Sequence, residues 1–292
     1  MSYPQGYFAG GFTGAKGNVS SIDKITYSND TNSAQTTAVL SQARQGAGGV
    51  TDTTDGKGYI GGGATGSNIN NPQPSNVTDK ITYSNDSSAA VTTANLIVAR
   101  FGVAGASNDA GGNGYFCGGG TSVSNSTNNT DKITFSTDTT ASQTSANLSS
   151  NRGYATAVNS KTKGYISGGM TAQNKSNSVL ATTDILVFST DTTSAATASN
   201  LSEARQGASA VNAIQNGKGY FASGFTATGA ADRTLIDIMA TPTDQRYSVQ
   251  SATLMYGGAE GMSSNNKGYI AGGSTNGNAA YVVDGFKLNY FN

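Results

Sequence analysis

Hydrophobic positions in this chain come in short bursts that alternate with polar residues and stop at glycine runs. The clearest burst is Gly58-Tyr59-Ile60-Gly61-Gly62-Gly63, an apolar strand opened by Gly-Tyr and closed by glycines. The phrase also starts at Gly6, Gly114, Gly164, Gly219 and Gly268, so the six starts lie 52, 56, 50, 55 and 49 residues apart. A second burst follows each one after a polar loop of variable length, at residues 23–27, 79–83, 131–135, 184–188, 237–239 and 284–288. In Asp79-Lys80-Ile81-Thr82-Tyr83 and its relatives, apolar residues alternate with Lys or Thr, the two-residue period of a strand. Turns such as Ser84-Asn85-Asp86-Ser87 come next, because short polar side chains bond their own backbone there.

Two further segments complete each unit. A Ser/Thr/Ala stretch ending in leucine occupies residues 35–40, 91–96, 143–148, 197–201 and 250–254; Arg44, Arg100, Arg152 and Arg205 follow four of these, and Met255 takes that place in the fifth. A stretch of very small residues then fills 46–50, 102–106, 154–158, 207–211 and 257–261. No segment carries the 3.6-residue period of a helix. Four strand types at a period near fifty predict an all-β chain built as one six-bladed propeller over residues 1–292. Side-chain size sets the radial order. Gly/Ala strands suit the crowded axis, the Gly-Tyr strands come second, the Asp-Lys-Ile-Thr strands third, and the Ser/Thr strands outermost, where one edge meets water. The first blade then lacks an inner strand and the last an outer one. Closure between the two termini accounts for this; a gap filled by a neighbouring subunit is the other reading.

Composition narrows the function classes. The 292 residues carry 17 basic and 17 acidic side chains, and 12% are charged. That balance lacks the basic footprint of a nucleic-acid binder and the polybasic patch of a membrane-surface protein. No apolar run approaches the ~20 residues that span a bilayer, and no secretory signal precedes Gly6, so a chain that folds in a cytoplasm without inserting in a membrane is expected. Histidine is absent and Cys117 is the one cysteine, which removes imidazole chemistry and a thiolate metal cluster. No cofactor, metal or catalytic residue is expected. The glycine runs lack the Lys-Ser/Thr of a phosphate loop, and turns such as Asn29-Asp30-Thr31 offer too few carboxylates for calcium.

The recurrent polar residues read as structure. Asp79 and Asp131, like their relatives Asp23, Asp184, Asp237 and Asp284, recur by position and are expected to accept backbone N–H bonds or to meet Arg44, Arg100 and Arg205. Tyr59, Tyr115 and Tyr165 are expected to fill the space between blades. Only the loops joining the second strand to the third break the repeat. They occupy residues 64–78, 121–130, 171–183 and 226–236 and share one face of the disc. Divergent loops on a repeated scaffold are where binding concentrates, so the candidate binding residues are Asn68, Asn70, Asn71, Gln73, Asn125, Asn128, Gln173, Asn174 and Arg233.

The order small strand, Gly-Tyr-Ile-Gly-Gly, Asp-Lys-Ile-Thr-Tyr, Ser/Thr strand resembles the kelch repeat, with its diglycine after the second strand and an aromatic in the third. The chain departs from that pattern in having no Trp. From Gly6 to about Leu288 its wording is similar to the kelch-like arrays of virion structural and tail-fibre proteins of marine bacteriophages, cyanophages included. The resemblance implies a non-enzymatic virion component (tail fibre, tail-associated or capsid decoration), assembled in the host cytoplasm. It implies other virion proteins as partners, a homo-oligomer, and a host-surface glycan or protein as receptor. A bacterial carbohydrate-binding or adhesion propeller is the alternative. A propeller enzyme would need a symmetry-breaking cluster of carboxylates.

Overall fold

In a computed structural model the described residues are 3–13, 17–66, 71–173, 178–227, 229–230, 235–250, 257–265, 267–275, 278–279 and 286–289. They form small antiparallel sheets in a β-propeller arrangement, with helix limited to short 3-10 turns. The sheet anchored at Gly58 sets the pattern. Its inner strand Gly48–Asp52 pairs with Lys57–Gly61, which pairs with Thr78–Thr82 and then with the outer strand Ser87–Ala90. The sheets anchored at Gly114, Gly164 and Gly219 repeat this order. In the sheet anchored at Gly268, Lys267–Thr275 carries Gly257–Ser263 along one edge and both Asn278–Ala279 and Phe286–Asn289 along its length.

The sequence predicts six blades; among the described residues five sheets have four strands. The segment anchored at Gly6 makes a three-stranded sheet of Gln5–Ala9, Ser21–Thr26 and Thr31–Val39. Among the described residues Gln5–Ala9 has a strand partner on one edge only.

Two strand positions also differ from expectation. In the three-stranded sheet Thr31–Val39 covers the expected 35–39, but in three of the four-stranded sheets the outer strand lies earlier than the leucine-terminated stretch: Ser87–Ala90, Thr139–Ser142 and Thr192–Ala195 are strands, whereas Thr92–Ala94, Thr144–Ala146 and Thr197–Ser199 are 3-10 turns. The turns swing Leu96, Leu148 and Leu201 inward, where each is buried, and a continuing strand would leave them at the sheet edge. The inner strands begin two residues later than expected, at Gly48, Ala104, Thr156 and Ser209. Gly46, Gly102, Tyr154 and Gly207, two residues before them, have φ of 62°, 61°, 54° and 56°, a left-handed conformation far from the extended backbone of a regular strand.

Neighbouring sheets are joined by one repeated device. Tyr59 is fully buried, stacks on Phe135 of the next sheet at 5.4 Å, and donates its hydroxyl to Asp138 at 2.5 Å. Tyr115 does the same with Phe188 and Asp191, and Tyr165 donates to Asp244 at 2.6 Å. Each aspartate sits at the tip of the turn between third and outer strands with φ near 50°, as Asp tolerates, and each also pairs with a lysine of the preceding sheet. Tyr269 and Lys267 reach Asp30 at 2.6 and 2.8 Å in the same way, so the last sheet meets the first and the ring closes.

Candidate functional site

Four arginine–aspartate pairs explain why so little recurrent charge reaches solvent. Arg44 meets Asp79 at 2.8 Å, Arg100 meets Asp131 at 2.6 Å, Arg152 meets Asp184 at 3.1 Å and Arg205 meets Asp237 at 2.6 Å. All eight side chains are buried. Arg100 also donates to the carbonyls of Gly118 and Asn129, and Ile97 N–H donates to Asp131 at 3.1 Å. The pair therefore ties the start of the glycine run, the third strand and the incoming loop into one knot. Burial weakens the hold of Arg44 and Arg152 on their protons, against the pull of Asp79 and Asp184. Cys117 is equally enclosed; burial pushes its thiol up to about 12, so it is a small core side chain and an inert one.

The inner strands enclose an axial cavity of about 2690 Å³. It runs from Gln45, Gln173 and Gln206 at the end of the variable loops to Asp109, Lys161 and Gln215 at the opposite turns. Glycine and alanine line it more often than any other residue types. Among the predicted loop residues, Gln173 lines this cavity and donates to the Tyr154 hydroxyl at 2.7 Å. Asn71 and Gln73 are exposed and bonded to each other at 2.6 Å, with Gln73 at φ 50°. Asn125 is exposed in a two-residue strand against Gly120–Ser122. Asn128 donates to the carbonyl of Leu148 at 3.0 Å, the tie that Asn76 makes to Leu96, so its side chain serves the repeat. Asn68, Asn70, Asn174 and Arg233 lie outside the described residues. The loop candidates thus do not converge on one pocket; Gln173 alone of the described ones reaches the axis.

Two carboxylates on the cavity wall depart from the repeat. Asp23 stands in the third strand where Asp79, Asp131, Asp184 and Asp237 stand, yet it is only half-buried, and its carboxylate has no hydrogen-bond or ion-pair partner among the described residues. The sequence foretells this, since the first arginine is Arg44. Glu260 pairs in register with Ala271, as Gly48 does with Gly61, Ala104 with Cys117 and Ser209 with Ala222. Those equivalents are small and buried. Glu260 is open to the cavity but walled about by protein, which pushes its carboxyl up to about 7. A charge at a position otherwise held by Gly, Ala, Thr or Ser was the signal that reading by repeat phrase passed over. Among the described residues no three His, Cys, Asp or Glu side chains are grouped as a metal site would need.

No protein-family model matches the chain, and no curated protein matches it. Among the described residues no helix is long and apolar enough to cross a membrane.

Proposed function

We propose that this chain is a non-enzymatic structural and binding scaffold of a bacteriophage virion, a tail-fibre, tail-associated or decoration protein. One observation carries the non-enzymatic part. The recurring Asp, Arg, Tyr and Lys side chains are engaged in holding strands and sheets together, while residue variety is left to loops on one face. The virion assignment is supported by the resemblance of the repeat wording to kelch-like virion arrays. In this reading the three-stranded sheet takes the place of a sixth blade, other virion proteins and further copies of the chain are the partners, and the variable loops meet a host-surface glycan or protein.

Mass spectrometry of purified phage particles against lysed host cells tests it. Enrichment in particles at a copy number divisible by three, five or six is expected. Recovery from the cell fraction with none in particles would overturn the virion role in favour of a bacterial binding module.

A further inference from the structure

Among the described residues the ring lacks one strand, and the space it leaves is shaped. In four sheets an inner strand begins four residues after a buried arginine, and the second residue after that arginine is left-handed. Those left-handed residues form a chain of main-chain bonds around the axis. Gly102 N donates to Gly46 O at 2.6 Å, Tyr154 N to Gly102 O at 2.7 Å, Gly207 N to Tyr154 O at 2.9 Å, and Gly258 N to Gly207 O at 2.7 Å. Among the described residues the chain of bonds stops between Gly258 and Gly46, on either side of the three-stranded sheet.

Side chains record the same vacancy. A Cβ on Gly105 would run into Gly49 O, and one on Gly261 into Ala210 O, the preceding inner strand in each case; on Gly49 it would meet only Ile60 Cδ1, at 3.6 Å. Tyr7 is half-buried where Tyr59, Tyr115 and Tyr165 are fully buried. Phe12 is 42% exposed, although its counterparts Ala64, Gly120, Met170 and Phe225 each bridge the residue after an arginine (Gly120 to Phe101, for example). Asp23 has no arginine, and Glu260 stands at the position whose equivalent, Gly48, faces Val103 and Phe116 of the following sheet, so it faces the vacancy.

We propose that the free edge of Gln5–Ala9 is a docking slot for an extended strand of another polypeptide, one of pattern Arg-x-Gly-x-small-small-Val. The arginine meets Asp23 and the carbonyl of Phe8, as Arg44 meets Asp79 and the carbonyl of Ile60 at 2.9 Å. The glycine supplies the left-handed link between Gly258 and Gly46. The small residues pair antiparallel with Ala9 back to Gln5, the strand-addition mode of peptide recognition, and two unpaired carboxylates favour a cationic strand over a neutral one. A second copy of this chain is a poor donor, because its Arg44, Arg100, Arg152 and Arg205 are all buried in its own pairs.

The probe is a labelled peptide with the sequence of residues 43–52, Ala-Arg-Gln-Gly-Ala-Gly-Gly-Val-Thr-Asp, titrated against the full chain by fluorescence anisotropy. Saturable binding is expected, with amide-exchange protection confined to Gln5–Ala9 and Gly46. Asp23→Asn in the protein, or Arg→Gln in the peptide, should each weaken binding at least tenfold, while thermal melting of Asp23→Asn stays unchanged because Asp23 holds nothing. Absence of binding at millimolar peptide, or equal binding to Asp23→Asn, overturns the proposal. A second arm places residues 43–56 directly before Gln5, which reproduces the strand and turn that precede Lys57. A raised melting temperature that disappears with Asp23→Asn is expected, and no rise would contradict the shape assigned to the slot.

Discussion

At the scale of single residues, the tyrosine that opens each second strand does two jobs that can be separated. The Tyr59 ring fills the space against Phe135, and its hydroxyl serves Asp138. Tyr59→Ala should cost about 3–5 kcal/mol, the range for removing a buried aromatic ring. Tyr59→Phe should cost about 1.5–3 kcal/mol, the loss of a hydrogen bond to a charged group. Urea unfolding of both variants checks this, and equal losses would mean that the ring contributes nothing. The same contacts set a pH profile. Burial alone would raise Asp86, Asp138 and Asp244, but bonds from Lys24, Lys80 and Lys163 and from the tyrosines outweigh it and hold these carboxyls below the usual range. Their contribution is present above the ordinary value of about 3.9 and lost as pH falls through the lower folded value. Tyr7, Tyr59, Tyr115 and Tyr165 are pushed up by burial and then by their aspartates. Their contribution is complete below about pH 10 and declines as pH rises above it. The urea midpoint should therefore be level between about pH 5 and 9 and fall on both sides. A midpoint unchanged at pH 11 would contradict the tyrosine assignment.

At the scale of strands, the second and third elements were legible and the first and fourth only roughly. Gly58-Tyr59-Ile60-Gly61 and Asp79-Lys80-Ile81-Thr82 announce themselves because each is a recurring phrase with a bulky apolar residue, Tyr59 or Ile81, at a buried position. The outer strand Ser87–Ala90 holds only Ser and Ala, so nothing in side-chain size separates strand from the 3-10 turn that follows; the buried Leu96 looks like a strand end until the turn is known. At the inner strand, Tyr154 hid the left-handed position because it stands where Gly46, Gly102 and Gly207 stand. Of the site, the uneven number of small-residue strands was readable and pointed to the vacancy. The partnerless Asp23 was implied by a missing arginine, and Glu260 was overlooked because its strand was recognised by its glycines. Inner-strand packing gives a paired prediction. Gly105→Ala drives a Cβ into the Gly49 carbonyl and should cost about 1–3 kcal/mol, the usual range for overpacking. Gly49→Ala meets ordinary space and should leave stability within about 0.5 kcal/mol of the parent. Equal costs at the two sites would mean that the space before Gly49 is filled.

At the scale of the molecule, the ring is as strong as its weakest seam, and the contacts identify that seam. Between four-stranded sheets, inner strand packs on inner strand, and a Tyr–Asp–Lys cluster or a buried core joins the rest. Between the Gly268 sheet and the three-stranded sheet the inner packing is missing. Closure there relies on Gly257–Ser263 lying against Gln5–Ala9, with Met262 over Gly6, on Tyr27 stacked on Tyr269 at 5.5 Å and bonded to the carbonyl of Ser263 at 3.0 Å, and on Asp30 held by Lys267 and Tyr269. Local opening draws on the least-packed region first. Asp30→Asn should therefore speed amide exchange in Gln5–Ala9 and Lys267–Thr275 about tenfold or more, equivalent to about 1.4 kcal/mol of local stability, with little change elsewhere. Asp138→Asn makes the matching change at an interface that inner packing also holds. Its effect should appear instead as a lowered global melting temperature, with exchange rising across the Gly58 and Gly114 sheets together. If the two variants gave the same exchange pattern, closure would be as firm as any other interface, and a docked strand would have no seam to seal. If they differ as expected, the open edge of Gln5–Ala9 and the weak seam are one feature, and a strand bound there would complete the ring as well as occupy it.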